Sequence, residues 1–225
     1  TELNTVVIDI KDASGYVFYD SDLDAVASIG AEQIRISDLH TVIQEFKDAG
    51  VYVIARQVVF LDPLATSAHP DWGALSSLGG LWKDDKGQSW ADPTVPEVWE
   101  YNTAIAREVI NFGVDEINFD YVRFPSDGPV SMLRFHKWDG SRPTTMKQFF
   151  EYIGTELADS SAYISVDFFG LTLDNAETGF DLNIGQKLID AAPHVDYIYP
   201  MTYPSHYYSG YLGLNNPAEH PYEVV

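Results

Sequence analysis

Apolar residues along this chain follow two alternating rhythms. Short runs of period two, rich in Val, Ile, Phe and Tyr, are separated by stretches whose apolar positions recur every three or four residues. Five runs predict strands: Thr5–Lys11, Val51–Phe60, Glu116–Phe124, Tyr163–Gly170 and Tyr197–Tyr203. Between the first two, Ser37 is placed to cap a helix whose apolar face is Leu39, Val42, Ile43 and Phe46, ended by Gly50. Pro96 opens a second helix carrying Val98, Tyr101, Ile105, Val109 and Phe112, stopped by Gly113. Thr144 or Thr145 starts a third, with Phe149, Ile153 and Leu157 inward. A short fourth runs near Ile184–Ala191 before Pro193, and Pro221–Val225 reads as the start of another.

Strand and helix therefore alternate, which calls for a parallel sheet built by right-handed crossovers. An open doubly wound sheet and a (β/α)₈ barrel both satisfy this. The turn after the first strand, Asp12-Ala13-Ser14-Gly15, has neither GxGxxG nor a Walker lysine, so a nucleotide-binding open sheet lacks its usual signal. Polar and acidic residues recur instead at several strand ends, as the catalytic face of a barrel requires. The expectation is an α/β fold of the (β/α)₈ TIM-barrel type. Five strands do not close a barrel of eight. Either the long segment Leu61–Pro96, which reads as a loop rich in Gly, Asp, Ser and Trp, hides strands, or the barrel is incomplete at both ends; the second is preferred. No linker divides the chain, so residues 1–225 are expected to form one domain.

The most informative stretch is Val114–Pro125, VDEINFDYVRFP. Alternation points Ile117, Phe119 and Tyr121 one way and Asn118 and Asp120 the other. By the same rule the first strand aims Val7, Asp9 and Lys11 together, and the fourth aims Ser165, Asp167 and Phe169. The second strand carries Arg56, and the last ends in Tyr199, Met201 and Tyr203, followed by His206. Two carboxylates across a cleft are the minimum apparatus for splitting a glycosidic bond, one as acid and one as nucleophile or base. Asp120 and Asp167, at similar depth on consecutive strands, are the candidate catalytic pair. Arg123 and Lys11 are candidates to keep one acid ionised while burial keeps the other protonated. The alternative is that these acids form buried ion pairs linking strands to loops, a reading that suits Asp9 with Lys11 better than catalysis does. Asp9, Lys11, Arg56, Asn118 and Arg123 are the polar candidates for binding substrate. Asp115 and Glu116, at the beginning of their strand, read as surface.

Trp82 and Trp90 lie in GGLWKDDKGQSWADP, where indole faces either stack on a sugar or pack the loop onto its own domain. Tyr199, Tyr203, His206, Tyr207 and Tyr208 likewise offer hydroxyls and ring faces, or ordinary packing.

Composition narrows the partners. The chain has 225 residues, 45% hydrophobic and 14% aromatic, enough for one large α/β core. Lys and Arg number 13 against 34 Asp and Glu, a formal charge of −21. Such a surface disfavours nucleic acid and anionic lipid, and suits a neutral or cationic partner or simply solubility. Without cysteine there is no disulfide or thiolate metal site, and the histidines form no HxH or HExxH. No GxSxG elbow appears, and no cofactor or metal is expected. No apolar run approaches the ~20 residues of a membrane span, and no signal peptide is visible.

Taken together, VVIDIKD, VYVIARQVVFLDP, GLWKDDKGQSWADP, VPEVWEYNTAIAREVINFGVDEINFDYVRFPSDG, SVDFFG, IGQ and YIYPMTYPSHYYSGYLG closely resemble a bacterial family described as glycoside hydrolases and related to TIM-barrel glycosidases. The resemblance covers essentially the whole chain. It implies one barrel strand before VVIDIKD and two βα units after PYEVV, so that Asp120 ends strand four, Asp167 strand five and Tyr203 strand six. Many such glycosidases carry a carboxylate at the end of strand four, and Asp120 matches that position. The implied activity is glycosidase-like, on a poly- or oligosaccharide outside the cytoplasm or in the cell envelope. A non-catalytic carbohydrate-binding barrel, relying on the tryptophan loop, is the alternative.

Overall fold

The computed structural model describes residues 3–225. Its strands are β1 (Thr5–Lys11), β2 (Val17–Tyr19), β3 (Glu32–Ile36), β4 (Tyr52–Val58), β5 (Leu75–Ser76), β6 (Glu116–Asp120), β7 (Leu133–Arg134), β8 (Tyr163–Phe169) and β9 (Tyr197–Met201). Its helices are α1 (Asp24–Ile29), α2 (Leu39–Asp48), α3 (Pro63–Ala68), α4 (Pro96–Asn111), α5 (Arg142–Glu156), α6 (Leu171–Asp174), α7 (Leu188–Ala191) and α8 (Pro221–Val224). Seven strands form one sheet in the order β3-β2-β1-β4-β6-β8-β9, and β5 pairs with β7 in a separate ribbon.

From β1 onward through β4, β6, β8 and β9 every pairing is parallel, and the order follows the chain. That steady progression is the winding of a barrel; a doubly wound sheet would reverse into a second parallel wing. On the other flank β2 runs antiparallel to β1, and β3 parallel to β2, so no such wing forms. The fold is thus α/β of barrel type, and its sheet does not close on itself within the described residues. Neither β2 nor β3 was predicted. The first has three residues, too few to show a period, and the second buries little of its length.

Helix boundaries follow local chemistry. Pro96 occupies the start of α4, as expected. Asp38, not Ser37, caps α2, its carboxylate accepting the Thr41 amide at 2.9 Å. Ser141 caps α5, which therefore begins before Thr144. Helix-facing strand residues Val53, Ala55, Ile117, Phe119, Val166 and Phe168 are buried against the apolar stripes of α4 and α5, with Phe150 and Phe168 ring centroids 5.7 Å apart.

Three expectations require correction here. Lys11 does not share a face with Asp9. Register slips between them, Asp9 opposite Arg56 and Lys11 opposite Gln57, so two residues of β1 span one step of β4. Lys11 turns into the helix layer and is wholly buried, its Nζ 2.8 Å from Asp62 Oδ2 and donating to the Val58 carbonyl at 2.7 Å. It is not a substrate-binding residue. Nor are Trp82 and Trp90 sugar platforms. Both are buried: the Trp82 indole nitrogen donates to the Pro129 carbonyl, tying the segment 61–96 to the loop after β6, and that of Trp90 donates to Asp84 Oδ2 within the segment. That segment contributes no strand to the main sheet; its β-structure is the short ribbon with β7 and isolated bridges.

Candidate active site

Residues on the sheet face away from the helices fall into register across the strands: Asp9 opposite Arg56, Arg56 opposite Asn118, Asn118 opposite Ser165. One step further on, Asp120 stands opposite Val58, and Asp167 opposite Tyr199. Parallel neighbours of matched depth thus bring side chains far apart in sequence to one mouth.

Arg56 is the hub. Its Nη1 donates to Asp9 Oδ1 at 2.8 Å, its Nη2 pairs with Asp120 Oδ2, and its Nε lies 4.0 Å from Asp167 Oδ2. Burial opposes the guanidinium charge, but Asp9 and Asp120 more than offset this and raise its pKa. The sequence reading assigned the pairing role to Arg123 and Lys11; the neighbouring strand β4 supplies it instead. Asp120 also accepts the amide of Tyr121 at 2.6 Å. Tyr121 has φ 54, in the left-handed region that a non-glycine residue occupies only where its surroundings enforce it. The strand therefore ends at Asp120, and Tyr121 leaves the face of Ile117 and Phe119 to pack its ring 5.7 Å from Trp90.

Asn118, buried beneath the acids, donates through Nδ2 to Asp167 Oδ1 at 3.0 Å and to Ser165 Oγ at 3.1 Å. Gln186, which the IGQ motif contains but alternation does not reveal, donates to the Asp167 carbonyl at 3.1 Å and accepts the Phe169 amide at 2.9 Å. The Asp167 carboxyl is pushed up to about 6. Burial is the main cause and the charge of Asp120 the next; the Asn118 bond and Arg56 partly counteract them.

That shift has a consequence for stability. The folded chain holds this proton more tightly than the unfolded one, so stability declines between the ordinary value of 3.8 and about 6 and stays lower above. A displacement of about two pH units corresponds to at most ~3 kcal/mol. Asp167→Asn keeps an acceptor for Asn118 and removes the charge. Urea unfolding is expected to show this variant more stable than the parent by about 1–3 kcal/mol at pH 7.5, with little difference at pH 4. Equal stability at both pH values would contradict the burial-driven shift.

Glu116 was read as surface, and the structure corrects this. It is only 1% exposed, accepting hydroxyl bonds from Tyr52 of β4 at 3.0 Å and from Tyr199 of β9, two strands away, at 2.9 Å. Its membership of the 116, 118, 120 face was the available signal. Asp115 instead pairs with Lys47 at 2.8 Å and accepts the Val53 amide.

The mouth opens into a cavity of about 840 Å³ whose wall includes Arg56, Asp120, Asp167, Arg123, Tyr199 and Tyr203. His206 lines it as well, its ring 5.2 Å from that of Tyr203. Tyr207 is buried against Tyr211, and Tyr208 is exposed. Asp9 serves the cavity through Arg56, and Asn118 supports it from below; Lys11, Trp82 and Trp90 lie outside it.

The family described as "Putative glycosyl hydrolase domain" matches residues 1–225. A crystal structure of a hypothetical protein from Ruminiclostridium thermocellum ATCC 27405 is 35% identical, with a TM-score of 0.69 over 74% of this chain and 84% of that one. Isomaltulose synthase from Erwinia rhapontici NX5 is 15% identical, with a TM-score of 0.52 over 91% of this chain and 43% of the enzyme. A "Family GH13_31 enzyme" is 14% identical, also with a TM-score of 0.52, over 92% of this chain and 46% of that one. The likeness to these two enzymes is one of fold, and the chain spans less than half the length of either. No curated protein sequence matches it.

Proposed function

The chain belongs to the family described as "Putative glycosyl hydrolase domain", and from that premise we propose that its cavity hydrolyses a glycosidic bond, with Asp167 as general acid and Asp120 as nucleophile or base. The family and the barrel-type sheet make the chain glycoside hydrolase-like. One observation carries the finer assignment: two acids share a mouth, one ion-paired to Arg56 and the other pushed up to about 6. Environments that separate two neighbouring carboxyls in this way define an acid and a base.

In this reading the Asp167 carboxyl gives its proton to the glycosidic oxygen as the bond from C1 breaks. The Asp120 carboxylate either attacks C1, forming an ester that water then hydrolyses, or takes a proton from the water that attacks. One water is consumed, and Asp167 recovers its proton from water. Arg56 holds Asp120 in place, and the strained Tyr121 amide fixes its second oxygen. A cavity of about 840 Å³ lies within the range of small-ligand sites, roughly 300–1,000 Å³. The substrate is a poly- or oligosaccharide, encountered outside the cytoplasm or in the cell envelope.

A barrel that only binds carbohydrate through its tryptophan loop would need open indole faces, and both are covered. With an aryl glycoside or polysaccharide that is turned over, kcat/KM is expected to fall as pH rises above about 6. Asp167→Asn should abolish that limb and slow poor leaving groups far more than 4-nitrophenol. A limb unchanged in the variant would remove Asp167 from the acid role.

A further inference from the structure

Arg123 stands in the wall of the same cavity in a state that hydrolysis alone does not explain. Two cations among the described residues are more than nine-tenths buried, Lys11 and Arg123. Lys11 faces Asp62 at 2.8 Å; Arg123 has no carboxylate within 4.0 Å among the described residues. Asp127 and Asp120 act on it only from farther away. Its Nη1 donates to the Phe124 carbonyl at 3.1 Å and Ser126 Oγ at 3.2 Å, while Nε and Nη2 meet no protein acceptor among the described residues.

The rest of its surroundings are aromatic. The guanidinium carbon lies 4.9 Å from the Trp90 ring, 5.4 Å from Tyr121 and 4.8 Å from Phe169. Ring faces hold the cation in place but accept no in-plane hydrogen bonds. The Nε and Nη2 donors are not sealed from solvent, so a ligand entering the cavity reaches them on a cation that is otherwise buried. Arg56, by contrast, is already occupied by Asp9 and Asp120.

We propose that Arg123 is a subsite for an anionic substituent, so that the sugar taken by this cavity carries a carboxylate, or a sulfate or phosphate ester, beside the bond to be cleaved. This rests on the glycosidase reading for the bond, but the subsite itself requires only binding. A planar guanidinium fork matches a carboxylate or an oxyanion ester in two parallel hydrogen bonds, and the rigid aromatic seat sets its direction beforehand. The formal charge of −21 repels such a ligand at a distance, yet salt screens exposed charges beyond ~8–10 Å. At contact the buried cation decides.

The test uses matched 4-nitrophenyl glycosides in both anomers: a neutral hexose, the 6-sulfate of that hexose, and the uronic acid of the same configuration. Hydrolysis is measured on the parent chain, and calorimetric binding on Asp120→Asn, so affinity is read without turnover. The charged member should be preferred by about 30-fold or more, the lower range for one partner of a buried charge pair. In Arg123→Met that preference should collapse to within about threefold. Arg123→Lys, which keeps the charge and loses the fork, should retain part of it and serves if the Met variant does not fold. Comparing uronate with sulfate identifies which anion fits. A neutral member bound or cleaved as well as the charged ones, no binding by any member, or equal losses on both in Arg123→Met overturns the inference. Charge-selective binding without hydrolysis upholds the subsite and rejects the glycosidase reading. Hydrolysis without charge preference does the reverse.

Discussion

Asp120→Asn is expected to reduce kcat by about 10³-fold or more on any glycoside the chain hydrolyses, within or above the range for losing a positioned acid–base group. The substitution is nearly isosteric. Its oxygen can still accept the Tyr121 amide, and Arg56 retains Asp9 at 2.8 Å, so the fold should survive. What disappears is the negative charge that would attack C1 or draw a proton from water. A second effect accompanies the first. The Asp120 charge is the second cause of the raised Asp167 pKa, so removing it should move the alkaline limb of residual activity to lower pH. Circular dichroism to verify folding, followed by kcat across pH 4–8, tests both. A folded variant within tenfold of the parent would show that Asp120 does not perform the chemistry.

Lys11→Met is expected to destabilise the fold by about 3–5 kcal/mol, the usual cost of removing one member of a buried ion pair. Lys11 is 0% exposed and Asp62 1%. Asp62 Oδ1 would still accept the Ala65 amide at 2.8 Å, but Oδ2 would lose the charge it faces. The Lys11 bonds to the Val58 carbonyl and Asn102, which join β1 to β4 and α4, would go as well. For a chain of this size the cost corresponds to a fall in Tm of roughly 6–20 °C. Adding Asp62→Asn should recover a substantial part, because neither charge is then left buried alone. Thermal melts of both single variants and the double variant decide the matter. A loss below ~1 kcal/mol in Lys11→Met would mean that water reaches the pair.

Side-chain alternation was the strongest local signal, and it succeeded wherever a strand ran regularly. Asn118 with Asp120 on β6 and Ser165 with Asp167 on β8 occupy the face it assigned, and β1 has the predicted limits. It failed at two kinds of place. The slip after Asp9 reverses the side on which Lys11 lies, and nothing in VVIDIKD marks it, because the slip is defined by pairing with β4. At Tyr121 the left-handed backbone breaks the period one residue after the catalytic candidate. Glu116 was misjudged for another reason: distance along a strand does not measure burial, and here Tyr52 of β4 and Tyr199 of β9 reach it across the sheet.

By itself, then, the order of residues determined the βα succession and the side of each regular strand that carries acids, since these depend on periods of two and of three to four that neighbours in sequence enforce. Only the tertiary structure decided that Arg56 is the shared partner of the acids, that Lys11 belongs to Asp62, that the two tryptophans face inward, and that Arg123 is buried with no carboxylate partner among the described residues. Those outcomes are set by which strands lie side by side and by how closely charges approach at contact distance, quantities that no local pattern encodes.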